Sequence, residues 1–169
     1  MLEKIPDFNK IGRQLIIDAQ TIAEVEMINF IMGNFERQGF LDTSIQPWQE
    51  RKNNTDSGRA ILTQSGALRD SVKISSSSIQ QVVASSDSKY AKINNEGGLV
   101  NIPVTAKMRK FFWFKYKQTG EGKYKGMALT KKTHFTFTIP KRQFMGPSEA
   151  FNNLIDAKFK KMILQRFKN

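Results

Sequence analysis

The chain has 169 residues, 39% hydrophobic and 25% charged, enough to bury a core without covalent staples. It has no cysteine, which excludes disulfides, thiolate catalysis and cysteine-based zinc sites. The net charge of +12 is unevenly spread: residues 1–100 carry 11 Lys+Arg against 12 Asp+Glu, and residues 101–169 carry 16 against 3.

Much of the excess sits in residues 101–135, where nine basic residues meet a single acid, Glu121. The same stretch holds Phe111, Phe112, Trp113, Phe114, Tyr116 and Tyr124. A surface this basic repels itself unless something anionic or a fixed neighbour lies against it. The pattern suits a protein that is put in place more than one that turns over a substrate. No apolar run approaches the roughly 20 residues of a membrane span, and Met1–Lys10 lacks the apolar centre of a secretory leader. The expectation is one soluble, intracellularly made domain without a membrane partner.

In chain order, Pro6-Asp7 and Thr21 are both candidate helix starts. Ile11, Leu15, Ile22, Val25, Ile28, Met32 and Phe35 recur at helical spacing, and Gly39 after Arg37-Gln38 is a stop, so a helix ends near Gln38. Residues 41–60 read as a long loop with Pro47, the run Asn53-Asn54-Thr55-Asp56-Ser57-Gly58, and Trp48 as its apolar anchor. Val72–Ile74 and Ile79–Ala84 read as a hairpin around Ser75–Ser78, and Leu99–Val104 as a third strand. Thr105 caps a helix over about 106–117, on which the aromatics fall all round the circumference and need cover on more than one side. Gly120, Gly122 and Gly126 interrupt the chain after that helix. Phe135–Ile139 alternates as a fourth strand, ended by Pro140, which cannot donate to a ladder. Ser148 caps a last helix with Glu149 in its first turn and a stripe of Phe151, Leu154, Ile155, Phe159, Met162 and Ile163.

Catalytic constellations are scarce. The single histidine, His134, has no acid beside it in sequence, and no zinc-protease, nucleophile-elbow, P-loop or dinucleotide motif occurs. The chain is therefore expected not to be an enzyme, with no catalytic residue, cofactor or metal.

Three blocks come after the first helix and the pair Trp48 and Arg51. They are Ile61-Leu62-Thr63-Gln64-Ser65-Gly66-Ala67-Leu68-Arg69-Asp70-Ser71-Val72, then Tyr90-Ala91-Lys92-Ile93-Asn94-Asn95-Glu96-Gly97-Gly98, then Ile139-Pro140-Lys141-Arg142-Gln143-Phe144-Met145-Gly146. In this order they resemble the phage virion morphogenesis or tail completion family of Mu-like, contractile-tailed phages, over roughly residues 20–165. Ser65 stands where the family usually has Thr, Asn94-Asn95-Glu96 where His-Gln is common, and Gln143 where Pro is common. The blocks also have an architectural reading. Gly66 suits a tight turn into the strand at Val72, Tyr90-Ala91 ends a strand, and Gly97-Gly98 makes a hairpin turn.

The resemblance implies a structural role in virion morphogenesis, tail completion or head–tail joining, with self-association into a ring. Its partners would be other tail or connector proteins, and its location the host cytoplasm during assembly, then the virion tail or neck. The expected fold is α+β, a single domain over 1–169 in which an N-terminal and a C-terminal helix pack on a small, mostly antiparallel sheet and residues 101–135 form a basic aromatic excursion. Candidate partner or DNA contacts are Lys107, Arg109, Lys110, Phe111, Phe112, Trp113, Lys115, Tyr116, Lys117, Lys141 and Arg142. The alternative is a nucleic-acid-binding protein using segment 105–132, its lysines on phosphates and its rings on bases.

Overall fold

The computed structural model describes residues 7–51 and 58–167. Pro6 of the first helix-start signal and residues 53–57 of the polar run lie outside the described residues. The chain divides into two compact units, one drawn from Met1–Glu96 and Lys141–Asn169, the other Gly97–Pro140.

In the first unit, helix α1 spans Phe8–Arg37 and takes the earlier start: the Asp7 side chain accepts from the Lys10 N–H and caps it. Its end is set by Gln38, which adopts the left-handed conformation at φ 54° and returns its N–H to Asn34 and Phe35. Gln38 offsets that strain with three bonds. Its amide donates to the Phe35 carbonyl, its side-chain oxygen accepts from the Ile61 N–H, and its carbonyl accepts from the Trp48 N–H at 2.8 Å. Only the last turns of α1 are fully buried, through Ile31, Gly33, Asn34 and Phe35. Val25, expected on the apolar stripe, faces solvent.

The expected long loop begins instead with two short strands, β1 (Gly39–Leu41) and β2 (Ile45–Pro47), paired antiparallel. They were hidden because three-residue strands show no periodicity. Trp48 is the expected anchor, buried against Phe35 with ring centroids 5.6 Å apart, and its indole N–H donates to the Gln143 carbonyl at 2.7 Å. Helix α2 (Ala67–Asp70) comes after Gly66, whose φ of 73° is the left-handed region that favours glycine. Strands β3 (Val72–Ser77) and β4 (Val82–Ser86) form the expected hairpin, its turn moved to residues 78–81 because the serines continue the ladder through a bulge between Ile74 and Ser76.

Tyr90-Ala91 does not end a strand. Residues Ala91–Glu96 form helix α3, and Gly97 (φ 73°) is the junction at its end, not a hairpin turn. The side-chain oxygen of Asn95 accepts from the N–H groups of Phe144 and Met145 at 2.9 and 3.0 Å, and the Asn94 carbonyl accepts from the Arg142 N–H. The second and third sequence blocks are thus sewn together. Phe144 has no exposure and packs on Phe35 at 5.1 Å, completing a core with Ile31, Trp48 and Val72. Buried Asn34 serves this junction too, donating to the Phe144 carbonyl and accepting from the Leu41 N–H and from Arg37.

The last helix, α6 (Glu149–Arg166), is capped by Ser148 as expected; the same hydroxyl donates to the Leu41 carbonyl. It runs antiparallel to α1: Phe151 meets Phe30, Lys158 pairs with Glu26, and Arg166 pairs with Asp18. Gln14 and Arg166, both hydrogen-bonded to the Asp18 carboxylate, hold it below its ordinary carboxylate range.

The second unit starts with strand β5 (Gly98–Pro103), which pairs antiparallel with β6 (His134–Ile139) from Gly98↔Ile139 to Pro103↔His134. Between them lie α4 (Ala106–Thr119) and a further helix, α5 (Gly122–Ala128). That helix was not legible because two of its seven residues are glycine. The class is α+β, with one departure: the strands do not share a sheet but form three separate two-stranded ladders.

Candidate assembly surface

Helix α4 carries most of the candidate contact residues, and its geometry divides them. Thr105 accepts from the Met108 N–H to start it, and Gly120 at φ 70° ends it. At about 100° per residue, Met108, Arg109, Phe112, Lys115 and Tyr116 fall on one side and Lys107, Lys110, Phe111, Trp113, Phe114 and Lys117 on the other. Burial matches that division: all five of the first set are half-buried and all six of the second are exposed.

Three of the inner set, Arg109, Phe112 and Tyr116, make contacts within the unit. The Phe112 ring lies edge-on to Phe135 at 6.1 Å and stacks on Tyr124 at 6.5 Å. Tyr116 touches Trp113 and lies under the Lys125 ammonium. Arg109 donates from one guanidinium nitrogen to the carbonyls of Ala128 and Thr130, at 3.1 and 2.6 Å. This clamps the end of α5, where Ala128 is buried. Lys123 pairs with Glu121, which raises the pKa of the lysine.

The outer set is less engaged: Phe111 tilts against Phe112 at 5.7 Å and Trp113 meets Tyr116, while Phe114 has no ring partner among the described residues. Phe111 and Phe114 keep 51% and 55% of their surface in water, Trp113 36%. Lys107, Lys110 and Lys117 form no ion pair among the described residues. Phe114 was missing from the sequence-derived contact set, although it lies in the same aromatic run. Only the placement of α4 on its unit shows that Phe112 turns in and Phe114 turns out.

Lys141 and Arg142 belong to the other unit. Lys141 is exposed. Arg142 is a brace: its guanidinium donates twice to the Gln49 carbonyl, at 3.1 and 2.9 Å. Partial burial, with Arg51 nearby, pulls its pKa below the ordinary arginine value. This unit has open, mostly apolar concave surfaces. One lies between α1, α6 and the β3–β4 turn, lined by Ile16, Ala23, Met27, Ile79, Phe151 and Phe159, and no titratable side chain lines it. Among the described residues no group of three His, Asp or Glu side chains is placed to hold a metal ion, and no helix is long and apolar enough to cross a membrane.

The phage virion morphogenesis family matches the sequence over residues 33–163, from the last turns of α1 through the whole Gly97–Pro140 unit and most of α6. The chain belongs to this family. It is a phage protein with a structural or assembly role, associated with the virion and its other proteins. No curated protein and no solved structure matches it. For this virion morphogenesis protein, the matched region holds all eleven candidate contacts, whereas the first 25 residues of α1, Phe8–Met32, lie before it.

Proposed function

We propose that the protein is a non-catalytic structural subunit that completes the tail or joins it to the DNA-filled head. It folds in the host cytoplasm, self-associates into a ring by contacts that close, and ends in the tail or neck against other tail or connector proteins. The observation that carries the contact with other virion proteins in this reading is the outer arc of α4. A member of a virion morphogenesis family leaves three large rings and three lysines without an ion pair among the described residues together on one helix face. Aromatic side chains of this kind anchor interfaces.

Inactivating the gene in the phage genome tests it. Electron micrographs of lysates should show full heads and tails that are incomplete or unjoined. Normal infectious particles in normal yield would overturn the reading.

A second reading, contact with DNA, is favoured by one observation: the Gly97–Pro140 unit holds nine cations and one acid. About five phosphate contacts would make log K fall with log[salt] at a slope near −4.5. Failure to retain duplex or single-stranded DNA at about 50 mM salt removes it.

A further inference from the structure

The contact surface on α4 has a chemistry that narrows its partner. Lys117, Lys110, Phe114, Lys107 and Phe111 succeed one another around the helix, with Trp113 at one border, over about 160° of its circumference. Phe114 sits in the middle, with lysines on both sides. We propose that α4 docks by this arc into a groove on another virion protein, a groove apolar at its floor and lined with Asp and Glu at its rim. Phe114 is the central anchor and Phe111 a second one, a turn away. Lys107, Lys110 and Lys117 meet the rim carboxylates. The inference rests on the assembly role above and adds the identity of the docking element and the composition of its partner.

Charge sets the sign of that partner. The unit holds nine cations against Glu121, and Glu121 is already paired with Lys123. The arc itself has no acid. A like arc on a second copy would be repelled, and an acidic rim attracted and steered into register. The rings decide between protein and nucleic acid. Phosphates satisfy lysines but leave a phenyl ring at the centre of the contact against a hydrated backbone. Half-exposed rings at i and i+3, flanked by lysines, fit the helix-in-groove mode of recognition instead.

A photo-crosslinking amino acid in place of Phe114, carried in the full-length protein in phage-producing cells, tests the proposal. The expected adduct in finished particles is a virion protein, crosslinked at a segment of apolar residues flanked by Asp and Glu. The same group in place of Phe112 should give only adducts within the chain. In parallel, Phe111→Ser with Phe114→Ser should lower the yield of infectious particles at least 100-fold while the melting temperature stays within a few degrees. A nucleotide adduct, an adduct to a second copy of this chain, or particles without any adduct from position 114 would overturn the proposal. So would a full yield from the double variant. If the gene deletion itself leaves assembly normal, the assembly role fails; if deletion blocks assembly but the double variant does not, only the docking inference fails.

Discussion

The two units hold together by different means. The larger one brings residues from distant parts of the chain onto one point: Ile31 and Phe35 from α1, Trp48, Val72, and Phe144 from the segment before α6. Its backbone is pinned there by Asn34, Asn95 and Gln38, three amides that each serve more than one bond. The Gly97–Pro140 unit has one fully buried hydrophobic residue, Ala128, among its 44. It relies on a six-pair ladder, on rings touching rings and on one arginine clamp. The larger unit also exposes apolar side chains, Ile17, Ile79 and Phe167 among them, but has this core beneath them. A unit that turns few large side chains inward leaves rings and cations at its surface, and that is where an assembly contact can be built.

The contrast can be broken most severely at Phe144. Phe144→Ala removes a side chain with no exposure and should cost about 3–5 kcal/mol, read from urea unfolding of the whole chain. Asn34→Ala comes next: it strips the partners from the Phe144 carbonyl and the Leu41 N–H, at about 1–3 kcal/mol. Arg109→Ser sharpens the comparison. Two carbonyls lose their clamp at about 1–2 kcal/mol, and amide hydrogen exchange should rise within 106–139 while 27–48 stays protected.

By contrast, Ser in place of Lys107, Lys110 and Lys117 should cost less than about 0.5 kcal/mol each, because these side chains are exposed and form no ion pair among the described residues. A loss of several kcal/mol in the triple variant would show that the arc is packed and not free.

The smallest effect is a pH dependence at the α1–α6 pair. Asp18 is held below its ordinary 3.8 by Gln14 and Arg166. Its contribution is therefore complete above 3.8 and is lost as the pH falls through its lower folded value. Melting curves between pH 5 and 2 should show a shallower acid decline for Asp18→Asn. Identical slopes would mean that the pair adds nothing to stability.

Local chemistry alone made much of this molecule legible. The caps at Asp7, Thr105 and Ser148, the helix end near Gln38, the alternation of Phe135–Ile139 and the block of Pro140 act through neighbours a few residues away, so reading the chain found them. The residue that turns left-handed to end α1, however, is Gln38 and not Gly39. The three ordered blocks likewise pointed to the family before any geometry was known. The features beyond reach depended on long-range packing. The short β1–β2 pair is fixed by Asn34 and Trp48, and α5 survives its glycines because Arg109 and Ala128 hold its end. Composition located the basic, aromatic stretch. It could not say that Phe112 and Tyr116 turn toward Phe135, Tyr124 and Lys125 while Phe111 and Phe114 turn to water. On a helix with rings all round, only the neighbours packed against it choose the inner face.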